Sequence, residues 1–301
     1  MTDFPAGRCG IVAHDAGAAN QILHWITAGD FSDIDIILSL HGPAKKIADR
    51  LGLLNQFENI DDTEALAQRV DWIISGTGWA TEIEKNVMYL ARQRAIPVFA
   101  VLDHWVNYRP RLNYQADGQA DIDELWVVDN EAQAVAASEF PGACIRIMPG
   151  RYLEDQVAEI SSVTESGTVL FLMEPVREQW GDMQSGSLNP GEFSAFEFFL
   201  SALKKTGANV GNIVIRPHPS DPPGKYDALT ECVEFRVSVN TEDSLSHAIS
   251  EATYVVGLNS YAMVVALAAG RKVYCALPPI APACVLPHTG IIDLRNESFG
   301  V

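Results

Sequence analysis

The sequence predicts an α/β protein made of two Rossmann-like domains that face a cleft. Short apolar runs of strand length alternate with helical segments along the chain, which is the pattern of parallel sheets flanked by helices. The 301 residues are enough for two domains, each with its own core. Pro149 and Gly150 break the alternation, and the next clear strand starts only at Thr168. We therefore predict an N-terminal domain at residues 1–150 and a C-terminal domain at residues 151–301.

Composition and charge exclude several classes of protein. Hydrophobic residues make up 48% of the chain, which is too many for a disordered protein. A net charge of -18, from 39 acidic and 21 basic residues, disfavours nucleic acid and anionic membranes as partners. The longest nonpolar run, near residues 263–269, is too short to span a bilayer. Five scattered cysteines without CxxC spacing, and no secretory leader, predict reduced thiols and a cytoplasmic protein. The oligomeric state stays open.

The first half contains six predicted strands with helices between them. The strands are short apolar segments at residues 8–13, 33–40, 71–75, 97–102, 124–128 and 144–148. Helices are predicted at residues 21–28, 43–51, 62–69 and 130–138, and from the glycine turn at residues 76–78 onwards. Thr81 and Glu84 have the spacing of a capping box at the start of that last helix. This order predicts a parallel sheet, and ligands bind at the carboxyl edge of such sheets.

Two turns at this edge carry candidate functional residues. His14 and Asp15 follow the first strand, beside backbone that glycine makes permissive. Trp79 ends the glycine turn after the strand at residues 71–75, where a substrate could approach the backbone. We assign Trp79 to acceptor binding, and a tight turn with the indole packed inward is the alternative.

The most unusual loop follows the strand at residues 97–102. It brings acidic, aromatic and basic side chains into close succession: Asp103, His104, Trp105, Tyr108, Arg109 and Arg111. Aromatic faces beside guanidiniums suit a sugar ring that carries carboxylate or phosphate, so the two rings and the two arginines are predicted to bind an acceptor. The alternative is that the rings fill the domain core while the arginines stay solvated.

The second half continues the alternation. Strands are predicted at residues 168–173, 212–216, 231–238, 254–258 and 272–276, and helices at residues 192–205, 242–250 and 261–269. Pro217 and Pro219 cannot donate to a β-ladder, so the strand at residues 212–216 must end there. Arg216 and His218 are thereby fixed at a carboxyl sheet edge, where a guanidinium beside an imidazole suits phosphate oxygens. The alternative is a solvated surface turn.

A second anion-binding element is predicted at the next strand-to-helix turn. Ser260 stands at the N-cap of the helix at residues 261–269, directly after Asn259. The free N–H groups of this helix and the Ser260 hydroxyl would face the same edge as Arg216 and His218. The alternative is that Asn259 and Ser260 only cap the helix.

An apolar strand ending in His-Pro, followed by a serine-bearing strand-to-helix turn, resembles the HP and S/T motifs of bacterial GT-B glycosyltransferases. The nearest are the polysialyltransferases and Kdo transferases, which use CMP-sugars, and the CDP-glycerol phosphotransferases. The resemblance implies a GT-B-like fold with an acceptor domain at residues 1–150 and a nucleotide-binding domain at residues 151–301. In the second domain His218 and Ser260 would hold the donor phosphate, with Arg216 and Asn259 beside them. Glu174, in the loop after the strand at residues 168–173, would border the cleft as a further nucleotide contact.

This chain departs from that pattern in one motif. It has Asn-Ser where the family often has Ser-Ser, Ser-Thr or Gln-Ser, which leaves the donor open. The chain is more distantly similar to the UDP-sugar 2-epimerases, which share the architecture, although their Gly-Gly and Glu-Glu signature is absent at residues 257–270.

The resemblance implies inverting sugar transfer from a nucleotide sugar, CMP-linked on the motifs, in the synthesis of bacterial surface glycans. Such a reaction needs a base for the acceptor hydroxyl. Asp103, which resembles in position the strand-terminal aspartate of the sialyltransferase Asp-Asp-Gly motif, is the first candidate, then Asp15, His14 and His104. The Asp-x-Asp pairs at residues 33–35 and 121–123 begin strands, away from the ligand edge. We therefore predict no metal and no cofactor besides the donor. A nucleotide-sugar hydrolase or 2-epimerase, and a non-catalytic nucleotide-binding protein, are the alternatives.

Overall fold

The computed structural model describes residues 4–78, 80–112, 122–163, 166–176, 191–206, 210–231 and 234–300. The chain divides into two compact units, Met1–Tyr152 and Leu153–Val301, which we call domain 1 and domain 2. The predicted boundary after residue 150 lies just before this division. In the described parts of the chain, no helix combines the length and the apolar character needed to cross a membrane.

Domain 1 is built on a seven-stranded parallel sheet. Its strands are β1 (Cys9–Ala13), β2 (Ile36–Leu40), β3 (Glu58–Asn59), β4 (Trp72–Ser75), β5 (Val98–Leu102), β6 (Glu124–Val127) and β7 (Ile145–Ile147). They are arranged in the order β3-β2-β1-β4-β5-β6-β7. The helices are α1 (Ala16–Thr27), α2 (Gly42–Arg50), α3 (Thr63–Ala67), α4 (Ile83–Gln93), α5 (Tyr108–Arg111) and α6 (Asn130–Glu139), and α7 (Arg151–Ala158) leads into domain 2.

The core of domain 1 explains why its strands are apolar on both faces. Every residue of β1, β2, β4 and β5 is buried, as expected where helices cover both sides of a parallel sheet. Aromatic rings form part of this core, where Trp126 lies 5.2 Å from Phe99 and 5.9 Å from Trp25 between ring centroids.

Domain 2 repeats the plan with six parallel strands. These are β8 (Thr168–Leu172), β9 (Asn212–Arg216), β10 (Val237–Val239), β11 (Tyr254–Gly257), β12 (Lys272–Cys275) and β13 (Ile291–Asp293), in the order β10-β9-β8-β11-β12-β13. The helices are α8 (Gly191–Thr206), α9 (Leu245–Ser250) and α10 (Tyr261–Ala268), with a 3-10 turn at Asp227–Glu231. Phe171, Phe196 and Phe199 form the centre of its core.

The element predictions are confirmed for most strands and helices, with specific exceptions. The strand predicted at residues 231–238 is confirmed only at its end, since β10 is Val237–Val239 and the 3-10 turn still includes Glu231. The first helix begins at Ala16, earlier than predicted. The strands β3 and β13 and the helix α7 were not predicted; each is short and has no fully buried residue run.

Candidate functional site

The carboxyl edge of the domain 1 sheet brings three predicted segments together. Strands β1, β4 and β5 are neighbours and all parallel, so the residues that follow them meet at one edge. These segments carry His14 with Asp15, the glycine turn at residues 76–78, and Asp103. Trp79 and Asp121 lie outside the described residues.

His14 and Asp15 form an oriented pair. His14 Nδ1 lies 2.7 Å from Asp15 Oδ1, and the two side chains keep 16% and 24% of their surface exposed. A carboxylate at this distance fixes the proton on Nδ1 and leaves Nε2 as the basic nitrogen. Gly42 borders Nε2, since a Cβ at this position, whose φ is +47°, would lie 2.6 Å from it. Only glycine lets the helix α2 start this close to the imidazole.

Glu84 lies beneath this pair. Its side chain, in the first turn of α4, is 1% exposed, and Oε1 accepts the His14 backbone N–H at 2.8 Å. Oε2 is buried and has no hydrogen-bond partner among the described residues. Burial raises the pKa of Glu84 and the charge of Asp15 adds to the effect, while the His14 N–H opposes it. Gly76 leaves room for this carboxyl, because a Cβ there would lie 3.2 Å from Oε1.

The predicted capping box at this helix is wrong. The N-cap residue of α4 is Glu82, without a side-chain cap, and Glu84 points inward to His14 instead of back to Thr81. Sequence reasoning therefore missed Glu84 as a site residue. The sequence signal for such a role is an acidic residue in the first helical turn after a glycine-rich strand end. This pattern is as typical of a capping box as of a site residue.

Asp103 forms an ion pair with Arg111. Its Oδ1 lies 2.6 Å from Arg111 Nη1, with 15% and 7% of the two side chains exposed. Its Oδ2 packs on Gly17 in the first turn of α1, where a Cβ would come within 1.7 Å. The carboxylate thus lies at the positive end of a helix, and one of its oxygens is taken up by a guanidinium. This arrangement suits an electrostatic or orienting role.

The remaining loop residues mostly pack within domain 1. Trp105 is 3% exposed and its Nε1 donates to the Asp129 carboxylate at 3.0 Å, and Tyr108 is 2% exposed. The Arg109 guanidinium binds Glu139 at 2.7 Å on the surface. His104 accepts the N–H of Trp105 on Nδ1 at 2.9 Å.

These contacts decide between the two interpretations of the loop. The rings fill the core, as the alternative interpretation expected, and acceptor contact through them would require them to leave it. Both arginines are ion-paired: Arg109 stays half-exposed, as the alternative expected, whereas Arg111 is buried with Asp103.

In domain 2, Arg216 and His218 line one pocket of about 510 Å³ with four prolines and the polar residues Asn240 and Thr241. The Arg216 guanidinium donates to the Asp243 carbonyl at 2.7 Å, and desolvation lowers its pKa. His218 Nδ1 lies 2.7 Å from the Ser220 hydroxyl. The pocket therefore presents a guanidinium and an imidazole at the end of β9.

A buried charge network supports the floor of this pocket. The Lys225 ammonium lies between the Glu192 carboxylate and Asp221, at 2.7 Å from the latter, and both acids are fully buried. Asp221 also accepts the Tyr226 hydroxyl at 2.8 Å and the His218 N–H at 3.0 Å. Burial opposes ionisation of Asp221, but these donors outweigh it and lower its pKa.

Glu174 occupies the turn that was predicted to hold phosphate. Its Oε1 accepts the N–H groups of Leu258 at 3.1 Å and Asn259 at 2.7 Å. Burial raises the pKa of Glu174, and these backbone donors partly offset the effect. Ser260 caps α10 through the Ala262 N–H at 3.2 Å, and the Asn259 side chain accepts the Val285 N–H at 2.9 Å. In this structure Glu174 is a partner of the turn itself.

The two predicted anion-binding groups share a sheet edge. Strand β8 lies between β9 and β11 and is parallel to both, so both strands end at the same edge. The pocket is lined by Arg216 and His218 but not by Asn259 or Ser260. Within the described chain, no hydrogen bond joins the two groups.

A scan against protein-family models finds no match for this chain, and a search of curated proteins finds none either. Solved structures do match. The UDP-GlcNAc 2-epimerase of Methanocaldococcus jannaschii aligns with a TM-score of 0.57 and 12% identity, over 89% of this chain and 83% of that one. Acinetobacter baumannii MurG aligns with a TM-score of 0.52 and 11% identity, over 91% and 79%.

Anabaena HepE, solved with UDP and glucose, has a TM-score of 0.52 and 11% identity, over 90% of this chain and 80% of that one. At these identities the likeness concerns the fold. Together with the two parallel sheets, it confirms the predicted architecture of two Rossmann-like domains. The chain has a fold of the GT-B type.

Proposed function

We propose that this protein is an enzyme that acts on a nucleotide-activated sugar and transfers the sugar with inversion to a hydroxyl acceptor, without a metal. The observation that carries the proposal is the His14–Asp15 pair, an oriented imidazole at a carboxyl sheet edge. General bases of this kind contribute about 10²–10⁴ to a rate. The GT-B fold, shared with proteins solved with UDP-GlcNAc or UDP, supports the substrate class.

In the proposed step, His14 Nε2 takes the proton of the acceptor hydroxyl while its oxygen attacks the anomeric carbon. The bond from that carbon to the phosphate oxygen breaks, and the nucleotide leaves with the electron pair. Asp15 stabilises the imidazolium that forms. Asp103, the first candidate base by sequence, keeps a supporting role here because its carboxylate is paired with Arg111. His104 ranks behind His14, since its Nδ1 accepts a hydrogen bond from the neighbouring backbone.

For the donor, we propose that the phosphate is bound at the end of β9 by Arg216 and His218. The pocket there is concave, and both side chains can donate to phosphate oxygens. Asn259 and Ser260 are proposed as a second contact, for which Glu174 would have to be neutral or displaced. The motif resemblance implies CMP, whereas the neighbours were solved with UDP, so the nucleotide is tested with both.

A thermal-shift series with UDP, CMP, CDP and GDP tests the donor site directly. A nucleotide that binds the folded chain raises its unfolding midpoint by mass action. We expect the increase for a pyrimidine nucleotide to be lost in His218→Ala and kept in His247→Ala, a matched control whose imidazole is exposed on α9. Equal shifts in wild type and His218→Ala would refute the assignment of His218.

Glu174→Gln separates the two groups of domain 2. Glutamine can still accept the Leu258 and Asn259 N–H groups but carries no charge. If phosphate binds at this turn, removing a carboxylate about 5 Å away relieves repulsion of a few kcal/mol at an effective dielectric constant near 20, so affinity rises at least about tenfold. Unchanged affinity would restrict the phosphate to the pocket with Arg216 and His218.

A 2-epimerase or hydrolase is the second candidate, and the several UDP-GlcNAc 2-epimerases among the structural neighbours favour testing it. A transferase consumes the sugar nucleotide only with an acceptor. A hydrolase consumes it without one, and an epimerase exchanges a carbon-bound proton with D₂O. NMR of UDP-GlcNAc and a CMP-sugar, with and without a mixture of glycan acceptors, distinguishes these outcomes. Binding without any turnover would favour a non-catalytic nucleotide-binding protein.

A further inference from the structure

Two thiols converge on one carbonyl oxygen in domain 2. Cys275 Sγ lies 3.3 Å from the Leu258 oxygen, and Cys284 Sγ lies 3.6 Å from the same atom. The two thiols are also within hydrogen-bond reach of each other. Cys275, at the end of β12, is 1% exposed, whereas Cys284 is half-buried and accessible from solvent.

The chain between these cysteines is held in place. The Arg295 guanidinium donates to the carbonyls of Leu277, Pro278, Ala281 and Pro282 at 2.7–2.8 Å. On the far side of Cys284, the Val285 N–H is bound by the Asn259 side chain at 2.9 Å. Cys284 therefore faces Cys275 because both flanks of its loop are anchored.

The two thiols are chemically unequal. When Cys284 is ionised, the Cys275 thiol can turn from the Leu258 carbonyl and donate to the Cys284 sulfur, which lowers the pKa of Cys284; the same contact and burial raise the pKa of Cys275. A half-exposed cysteine that is ionised more easily reacts first with an oxidant, and a buried neighbour then resolves the product.

We propose that Cys275 and Cys284 are a redox-modification site that low-molecular-weight disulfides convert into an intramolecular disulfide bond. The Cys284 thiolate attacks one sulfur of oxidised glutathione, forms a mixed disulfide and releases one glutathione thiolate. Cys275 loses its proton and attacks the Cys284 sulfur, which forms the Cys275–Cys284 bond and releases the second glutathione. Two electrons pass from the cysteines to glutathione, and the two thiol protons end on the two released glutathiones.

Closing this bond takes both S–H donors away from the Leu258 carbonyl. Leu258 is the first residue of the turn whose Leu258 and Asn259 N–H groups donate to Glu174, so oxidation loosens that turn. Any effect on nucleotide binding rests on the function proposed above. The chemistry and the loosening of the turn can be measured without a substrate.

The test uses the full chain, oxidised glutathione and a count of free thiols after denaturation. Wild type has five cysteines and should fall to three thiols without forming dimers, with peptide mass spectrometry linking residues 275 and 284. Cys144→Ser, a matched control at an exposed cysteine, should also lose two. Cys284→Ser should lose none to an internal disulfide, and Cys275→Ser should retain a single glutathione on Cys284.

Three results would overturn the proposal. These are five remaining thiols in wild type, a mapped bond that joins any other pair, or equal internal disulfide formation in Cys284→Ser. Mapping in wild type needs no substitution, so a poorly folded variant does not affect it.

Hydrogen exchange tests the effect of oxidation on the turn. The Leu258 and Asn259 amides should exchange about tenfold faster after oxidation of wild type, as expected for a lost hydrogen bond. They should not exchange faster in Cys284→Ser. Unchanged exchange in oxidised wild type would refute the effect on the turn.

Discussion

Gly17→Ala is expected to destabilise the protein, although helix propensity alone predicts the opposite. Gly17 lies in the first turn of α1, where alanine would ordinarily stabilise the fold by up to about 1 kcal/mol. Its new Cβ would lie 1.7 Å from Asp103 Oδ2, half the distance at which ordinary contact begins. The carboxylate must therefore rotate away, which breaks its 2.6 Å pair with Arg111.

The magnitude follows from the burial of this pair. With 7% and 15% of the side chains exposed, breaking it costs about 3–5 kcal/mol, and subtracting the propensity gain leaves a net loss of at least about 2 kcal/mol. Urea denaturation measures this loss directly. Gly150→Ala is the control, because nothing lies within 4 Å of its Cβ position. In Asp103→Ala the Gly17→Ala substitution should cost nothing further. A neutral or stabilising Gly17→Ala in wild type would refute the close approach of Asp103 to α1.

The remaining predictions concern charge. If His14 is the base, His14→Ala should reduce turnover at least about 100-fold. Asp15→Asn should reduce it about 10–150-fold, because a charge-assisted hydrogen bond is lost. Initial rates measure both effects, and Asp61→Asn, at an exposed carboxylate, is the control. Because the pKa of Glu84 is raised in the folded state, the stability of wild type should fall as pH rises from about 4.3 through that pKa. Urea denaturation at several pH values should show no such loss in Glu84→Gln. Parallel stability curves for the two proteins would contradict the prediction. Lys225→Met should cost about 3–5 kcal/mol, because two buried carboxylates lose the ammonium that they share. Calorimetry measures the loss, and a much smaller value would contradict the prediction.

The architecture could be predicted from the sequence because parallel strands leave a simple signal. Runs such as β5 and β9 are apolar along their length or end at prolines, and tertiary packing does not change that pattern. Their order also places the polar residues that follow them at one edge. The location of His14, Asp15 and Asp103 at that edge could therefore be predicted without coordinates.

Side-chain partners could not be predicted, because one residue type serves several contacts. Glu84 has the spacing of a cap, yet the gap left by Gly76 admits its carboxyl to the backbone of His14. Glu174 was predicted to contact the nucleotide, yet its carboxylate accepts hydrogen bonds from the N–H groups of Leu258 and Asn259. Such choices depend on which unsatisfied donor lies nearest in space, and a single sequence does not encode that distance.

The placement of charge supports different tasks for the two domains. At the carboxyl edge of domain 1, three carboxyl groups, those of Asp15, Glu84 and Asp103, surround one imidazole and one guanidinium. Such an edge repels phosphate but suits a hydroxyl that must lose its proton or a sugar ring that develops positive charge. In domain 2 the Lys225 ammonium pairs with Glu192 and Asp221, and Arg216 and His218 line the pocket together with Lys225, Asp221 and Asp227. In a chain of net charge -18, the proposed binding of an anionic leaving group in domain 2 depends on this guanidinium, imidazole and ammonium, because they offset the carboxylates beside them.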